Sequence, residues 1–314
     1  MLAAVAVGSV LVGNQSYSPA EVLGATPGSD LDRIVEYLRI PRTLVGILAG
    51  AALGVAGGLL QGLTRNALAG PEVFGVNAGA AFTVVVGIAA FGVDTFGGWI
   101  WFAFLGAAVT GVAVYALGSL GRGGATPVKL ALSGAAATAL LGGLTTAVTL
   151  LDIATFTAYR YWSVGALTSA DAAVIRTALP FLTVGSVLAM TSARALDALA
   201  LGDDLARTLG QRLAVGRATA ALAVVVLTGT AVGLAGPLAF VGLCVPHMAR
   251  ALVGPTHRWL LPYSAVLGPI VLLLADVLGR LIARPQELQA GIVTAVAGAP
   301  FFIALVRRRR MAEL

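Results

Sequence analysis

The chain has 314 residues, of which 58% are hydrophobic and only 11% are charged; soluble domains carry about 25% charged residues, so this composition indicates an integral membrane protein. The formal charge of +6 could suggest nucleic-acid binding, but loop arginines orient membrane proteins in the bilayer, and we expect no nucleic-acid partner. The single cysteine, Cys244, excludes an internal disulfide and a multi-cysteine metal site.

The first apolar stretch is residues 1–13, MLAAVAVGSVLVG. It is shorter than the about 20 residues that a membrane-spanning helix needs. A secretory signal peptide is the alternative, although the stretch lacks a basic n-region and a convincing cleavage site. We interpret it as the end of a first helix whose start is missing from this chain.

Further apolar windows predict an all-α protein with about ten transmembrane helices in a single domain, residues 1–314. The windows lie near residues 43–63, 73–92, 98–120, 128–151, 172–191, 214–235, 238–253, 260–283 and 288–306. The basic tail Arg307–Arg310 belongs in the cytoplasm by the positive-inside rule. Because an even number of spans returns the chain to the side where it began, both termini are predicted to be cytoplasmic.

This topology places Arg39 and Arg42, in RIPRTLVGILAG, on the outer side. The positive-inside rule disfavours them there, and so does the positive end of a helix dipole, since Pro41 suits a first helical turn. Two costs at one place suggest a function at an exposed outer rim. The alternative is that both side chains simply reach the membrane interface.

Small and polar residues mark three of the predicted spans. A glycine at every fourth position of the second span permits close helix contact, either as a sliding surface or as static packing; these are Gly46, Gly50, Gly54, Gly58 and Gly62. Asn77, at the start of the third span, is a candidate gate or a helix cap. The fifth span has an uncharged hydroxyl face that could line a path for a large polar solute, or could bond back to helix carbonyls; it includes Ser133, Thr138 and Thr145.

The cytoplasmic segment of about residues 194–212 predicts two short helices, ended by Gly202 and Gly210. Asp203 is positioned to cap the second helix, and Asp204 falls in its first turn. Two ordered helices below a membrane domain would form a docking surface for a cytoplasmic partner.

Five stretches between about residues 18 and 306 resemble permease subunits of binding-protein-dependent ABC importers for iron-siderophores, haem and cobalamin. They read RIPRTLVGILAGAALGVAGGLLQGLTRNALAGPEVFGVNAGAA, ALALGDDLARTLG, AGPLAFVGLCVPHMARALVGPTHRWLLP, LLADVLGR and PQELQAGIVTAVAGAPFF. The resemblance implies the cobalamin-importer-like (type II) permease fold, with ten helices per subunit. It further implies a second permease subunit completing the channel, two ATP-binding subunits below, and an extracytoplasmic substrate-binding protein above.

The resemblance also assigns roles to individual positions. It implies that three arginines receive acidic residues of the binding protein: Arg39, Arg42 and Arg280. It implies that the segment containing Asp203, Asp204, Arg207 and Gly210 meets the ATPase. Asn77 matches a cytoplasmic gate position, and the span with Ser133, Thr138 and Thr145 matches a pathway-lining helix.

The chain contains no GxxxxGK[ST] phosphate loop, so we expect a transport subunit rather than an enzyme. We expect it to bind no cofactor or metal, ATP and magnesium being held by the partner ATPase. His247 could be a metal or haem ligand, but a packing or capping role is the alternative. An iron(III)-siderophore is the expected substrate, with haem or cobalamin as alternatives.

Two other functional classes fit the sequence less well. An ion-coupled secondary transporter usually keeps ionisable residues at mid-membrane, whereas Asp152, Asp171 and Asp276 fall near the ends of spans. An intramembrane enzyme would need a nucleophile–base pair or a metal site, which the spans do not display.

Overall fold

The computed structural model describes residues 1–312, except 16, 72–74, 94, 122–125, 169–171 and 209–211. Fourteen α-helices form within this part of the chain, in agreement with the predicted all-α class, and a π-helical turn, Val35–Arg39, leads into the fourth. The helices are α1 Leu2–Leu11, α2 Pro19–Leu23, α3 Asp30–Ile34, α4 Ile40–Thr64, α5 Val76–Phe91, α6 Phe96–Ser119, α7 Pro127–Leu151, α8 Ile153–Ser163, α9 Ala172–Ala200, α10 Asp203–Thr208, α11 Leu213–Ala235, α12 Val241–Val253, α13 His257–Ile282 and α14 Ala290–Ala312.

The predicted spans correspond to long and short apolar helices. Six segments of the described chain are long and apolar enough to cross a membrane: the one containing α4, and α6, α7, α9, α11 and α13. Four shorter apolar helices accompany them: Leu2–Leu11, Val76–Phe91, Val241–Val253 and Ala290–Ala304. Together they account for the about ten hydrophobic segments expected from the sequence.

The helix α9 extends further than the sequence predicted. It continues without a break to Ala200, so the first of the two short cytoplasmic helices expected in residues 194–212 is the end of α9. The segment ARALDALA consists mainly of good helix formers, so nothing stops α9 before Gly202, whose φ is +106°. The second short helix is α10, Asp203–Thr208.

The helix α4, which like α11 is largely buried, packs antiparallel to α13 along its glycine row. A methyl group on Gly50 would lie 2.7 Å from the backbone of Gly268, and one on Gly54 would overlap the carbonyl oxygen of Ser264. At the end of the row, Gly62 faces the imidazole ring of His257. The glycine row therefore serves close, continuous helix packing along the length of α4.

A non-helical connection, residues 236–240, joins α11 to α12. Gly236 and Phe240 have positive φ angles, of +72° and +65°. In the first turn of α12, Gly242 packs against Gly57 of α4. Just before this connection, the Ala166 amide donates to the carbonyl of Ala235, the last residue of α11, at 2.8 Å. Non-helical backbone is tolerated between membrane helices where protein or a cavity surrounds it.

The helix α8 was not predicted from the sequence. Asp152 caps it by accepting hydrogen bonds from the backbone amides of Ala154 and Thr155, at 3.2 and 3.1 Å. Because the cap stands directly after the apolar residues of α7, the chain turns and starts a new helix at once.

Candidate functional site

At the outer end of the predicted topology, arginines hold the C-terminal end of α1. Nη1 of Arg39 donates to the carbonyl oxygens of Val10 and Leu11, both at 3.0 Å. Arg280 donates to the carbonyl of Ser9 at 2.9 Å. The last carbonyls of a helix lack partners within it and carry its negative partial charge. The two guanidinium groups therefore supply hydrogen-bond donors to the unpaired carbonyls at the end of α1.

A buried charge network links α4 to α13 at the same level. Arg42 pairs with Asp276 at 2.7 Å and with Glu287 at 2.6 Å, and Arg280 pairs with the other carboxylate oxygen of Asp276 at 2.8 Å. Asp276 is completely buried. A single carboxylate therefore pairs with guanidinium groups from two helices, and Glu287 supplies the second negative charge.

The three predicted docking arginines thus share one location, but they are not surface charges. Arg39, Arg42 and Arg280 are only 5%, 8% and 2% exposed, so the expectation of an exposed rim is wrong. They line a cavity of about 230 Å³, together with Thr168 and Glu287. Their docking role remains a prediction.

At the opposite end, Asp203 ties α10 to two membrane helices. Nη2 of Arg217, in α11, donates to both carboxylate oxygens at 2.9 and 2.8 Å. Arg65, at the end of α4, donates to the same carboxylate. The predicted capping role of Asp203 is therefore wrong, because this residue lies inside the first turn of α10 and its side chain turns to the arginines.

These contacts set the charge state of Asp203. Partial burial alone would raise its pKa, but the hydrogen bonds and charges of Arg217 and Arg65 outweigh burial and hold that pKa below its ordinary value. Arg65 itself has a left-handed backbone, with φ of +49°, which is uncommon for a residue with a side chain. Arg65 therefore ends α4 in a left-handed cap and places its side chain against Asp203 of α10.

The other predicted coupling residues are less engaged. Asp204 and Arg207 form an exposed ion pair at 3.3 Å, of a kind that contributes little to stability. Gly210 lies outside the described residues. The predicted coupling role of all four residues remains a prediction.

Asn77, Thr138 and Thr145 line one cavity of about 550 Å³ between α5, α7 and α8. Thr146, Thr149, Tyr159 and Pro237 are also part of its wall. Ser133 is half-buried and does not belong to the wall. The structure thus brings together three of the four residues predicted for the pathway or gate.

The hydroxyls of this wall bond back to their own helix, which was the alternative interpretation of the polar face. Thr145 donates to the carbonyl of Leu141 at 2.7 Å, and Thr146 donates to that of Gly142 at 2.9 Å. Asn77 Oδ1 is buried and has no hydrogen-bond partner among the described residues. Back-bonding leaves the hydroxyl lone pairs available, so it is compatible with a polar path.

His247 is held within the protein. Its Nε2 lies 2.6 Å from the carbonyl oxygen of Ala67, and its ring meets Phe301 edge-on at 6.5 Å between centroids. Within the described part of the chain, no three His, Cys, Asp or Glu residues are grouped as metal ligands would be. These contacts favour the packing interpretation of His247.

Sequence reasoning missed two polar features. Asp197 accepts hydrogen bonds from the backbone amide and Nδ1 of His257, both at 2.7 Å, and so joins α9 to α13. Glu287 completes the outer charge network. The residues are far apart in sequence, and only the packing of the helices brings them together.

The FecCD transport family model matches residues 1–308. The chain belongs to the FecCD transport family. This assignment agrees with the resemblance seen in the sequence and makes the chain a permease of the ABC-importer class.

Individual relatives match over most of their length. The ferric enterobactin transport system permease protein FepD of Escherichia coli is 43% identical over 304 residues, 96% of this chain and 91% of that protein. The Fe(3+)-citrate import system permease protein YfmD of Bacillus subtilis is 44% identical, over 90% of this chain and 84% of that protein.

A solved structure supports the fold as a whole. An inward-facing conformation of a metal-chelate type ABC transporter matches with a TM-score of 0.85 and 27% identity, over 98% of this chain and 96% of that one. Together with the apolar helices, the similarity to these membrane permeases identifies the chain as a multi-pass inner membrane protein.

Proposed function

We propose that this chain is the transmembrane subunit through which an ATP-driven importer moves an iron(III)-siderophore from an extracytoplasmic binding protein into the cytoplasm. The observation that carries the proposal is the uncharged, hydroxyl-lined cavity between α5, α7 and α8 in a chain of the FecCD transport family. The relatives named for ferric enterobactin and ferric citrate favour an iron chelate over haem or cobalamin.

The proposed assembly contains a second permease subunit, either another copy or a paralogue, and two ATP-binding subunits. This chain would act as a single transmembrane domain with both termini in the cytoplasm and no bound cofactor, while the partner ATPase holds ATP and magnesium. The helix α10 supports this arrangement, because its exposed ion pair and its anchored Asp203 provide a surface fixed to the membrane helices.

The proposed docking site for the binding protein is the outer end, at Arg39, Arg42 and Arg280. These residues line one cavity with Glu287 and connect α1, α4 and α13. An acidic side chain entering this cavity would meet cations that are already desolvated, where a charge-assisted hydrogen bond is strong.

The proposal is tested by reconstitution. We expect the purified chain alone to show no ATPase activity, and to support ATP-dependent chelate uptake into proteoliposomes only with an ATP-binding subunit and a binding protein. ATP turnover by the isolated chain would refute the assignment. Uptake driven by an ion gradient without ATP would favour a secondary transporter.

A further inference from the structure

Three arginines bind the five consecutive backbone carbonyls of residues 9–13, at the end of α1. Arg280 donates to the carbonyls of residues 9 and 12, Arg39 to those of residues 10 and 11, and Arg284 to that of residue 13. The helix stops here, since Val12 has an extended backbone, with φ of −93° and ψ of 116°. The backbone at this end of α1 is therefore bound by a guanidinium group at every residue from 9 to 13.

Two of these arginines pair with no carboxylate in the part of the chain that the structure describes. The two carboxylates of the outer network pair with Arg42 and Arg280, whereas Arg39 and Arg284 bind carbonyl oxygens. Four guanidinium groups thus meet two carboxylates, and two positive charges are met only by backbone dipoles. An entering carboxylate would add the attraction of opposite charges and a bidentate geometry, which a carbonyl does not provide.

The end of α1 also separates Arg39 from the outside. Only 5% of the surface of Arg39 is exposed, and a methyl group on Gly13 would overlap its guanidinium group. The next residues, Asn14 and Gln15, line the same cavity as Arg39, and Gln15 is exposed. A carboxylate of another protein therefore reaches Arg39 only when this segment moves.

We propose that residues 9–15 form a latch over the docking cavity, and that the binding protein opens it. In the free permease the carbonyls of α1 occupy Arg39 and Arg284. Acidic side chains of the binding protein take the place of these carbonyls, and the latch moves outward. The inference rests on the proposed function, since it concerns how the binding protein docks. Because only the open fraction of the free permease can dock, the closed latch lowers the apparent affinity by that fraction.

Gly13 allows the latch to be loosened without a change of charge. G13A places its methyl group against the guanidinium group of Arg39, which is the far end of a flexible side chain, so the fold should be retained. We expect the affinity of the reconstituted transporter for the binding protein to rise about fivefold, which corresponds to about 1 kcal/mol. G8A is the matched control in the same helix, because nothing lies within 4 Å of its added methyl group, and its affinity should equal that of the wild type.

A second readout shows whether G13A opens the latch itself, in the absence of the binding protein. Ser9 is completely buried at the start of the latch. In a C244A background, which lacks the natural cysteine, a membrane-impermeant maleimide should modify S9C about fivefold faster with G13A than with G8A, since opening and docking are linked by the same factor. S264C, which is equally buried in α13, should react at one slow rate with both.

A gain in affinity with G13A that matches the gain in S9C labelling would support the latch. Unchanged or weaker affinity in G13A, an equal change in G8A, or a gain in affinity without faster S9C labelling would overturn the inference alone. If the binding protein did not bind the wild-type transporter, the proposed function would fail, and this inference with it.

Discussion

Asp203 in α10 binds Arg217 in α11 through both of its carboxylate oxygens, at 2.8 and 2.9 Å. The same carboxylate also accepts a hydrogen bond from Arg65, the residue that ends α4. A displacement of α10 therefore acts directly on α4, whose other end carries Arg42 of the buried charge network. This single helix joins the proposed ATPase side to the proposed binding-protein side.

We expect D203N to uncouple the transporter. The amide retains the shape of the side chain but removes the charge that holds both arginines, so ATP hydrolysis should continue while chelate uptake per ATP falls severalfold. The measurement is the ratio of uptake to hydrolysis in proteoliposomes. D30N is the control, because Asp30 is an exposed acid in the first turn of α3, away from the proposed ATPase surface.

An equal effect of D203N and D30N would contradict a specific role of the Asp203 contacts. The pH dependence provides a second check. Since the folded-state pKa of Asp203 is lowered, its contribution is present above its ordinary pKa and is lost only as the pH falls through the lowered value. The uptake-to-hydrolysis ratio of the wild-type chain should therefore show no loss from this group between neutral and mildly acidic pH.

The buried carboxylate of Asp276 is expected to control stability rather than transport specificity. D276N leaves the guanidinium groups of Arg42 and Arg280 without their shared counter-charge, and breaking a buried pair in this way costs about 3–5 kcal/mol. We expect less folded protein and a lower thermal midpoint in detergent. D30N is the control, since Asp30 is an exposed acid in the first turn of α3.

A thermal midpoint for D276N equal to that of D30N would show that the network contributes nothing to stability.

The network also changes what is expected of a double reversal, R39E with R42E. Exposed arginines could be reversed without harm to the fold. Here, however, a glutamate at position 42 would face Asp276 and Glu287, so we expect the amount of folded protein to fall.

The docking role of the arginines is therefore better tested on the wild-type chain. Exposed charge pairs are screened over about 8–10 Å at ordinary ionic strength, whereas buried pairs are screened much less. If an acidic residue of the binding protein enters the cavity beside Arg39 and Arg42, the rate at which the bound complex dissociates should depend only weakly on salt. The measurement is the dissociation rate of the binding protein at two salt concentrations, and a steep acceleration at high salt would indicate surface contacts instead.

The sequence predicted much of the fold because a membrane imposes strong local rules. The length of the apolar stretches located the helices. The glycine at every fourth position of α4 indicated the face of that helix that packs closely, which the structure places against α13. The polar face of α7 and Asn77 were predicted separately, as a path-lining face and a gate, and the structure places them in one cavity wall. These features repeat along one helix, and helical periodicity alone is sufficient to recognise them.

The remaining features depend on contacts between distant segments. No local pattern shows that Arg39 reaches the carbonyls of α1 or that Asp203 meets Arg65 and Arg217. The same limit explains the wrong capping role for Asp203, because its position before a helical pattern suits a cap equally well. The cavity wall at Pro237 was also missed, since it depends on the non-helical connection between α11 and α12.

The closest contact between α4 and α12 provides a test of the packing. A methyl group on Gly57 would overlap the carbonyl oxygen of Gly242, and backbone atoms cannot move aside as a flexible side chain can. We expect G57A to destabilise the protein by about 1–3 kcal/mol, the usual cost of overpacking.

G143A is the matched control in α7, where nothing lies within 4 Å of the added methyl. There the exchange should be neutral or stabilising by about 0.5–1 kcal/mol, because alanine favours a helix interior. Thermal midpoints of the two variants in detergent give the comparison, and a G57A variant as stable as G143A would show that α4 and α12 do not meet at this glycine.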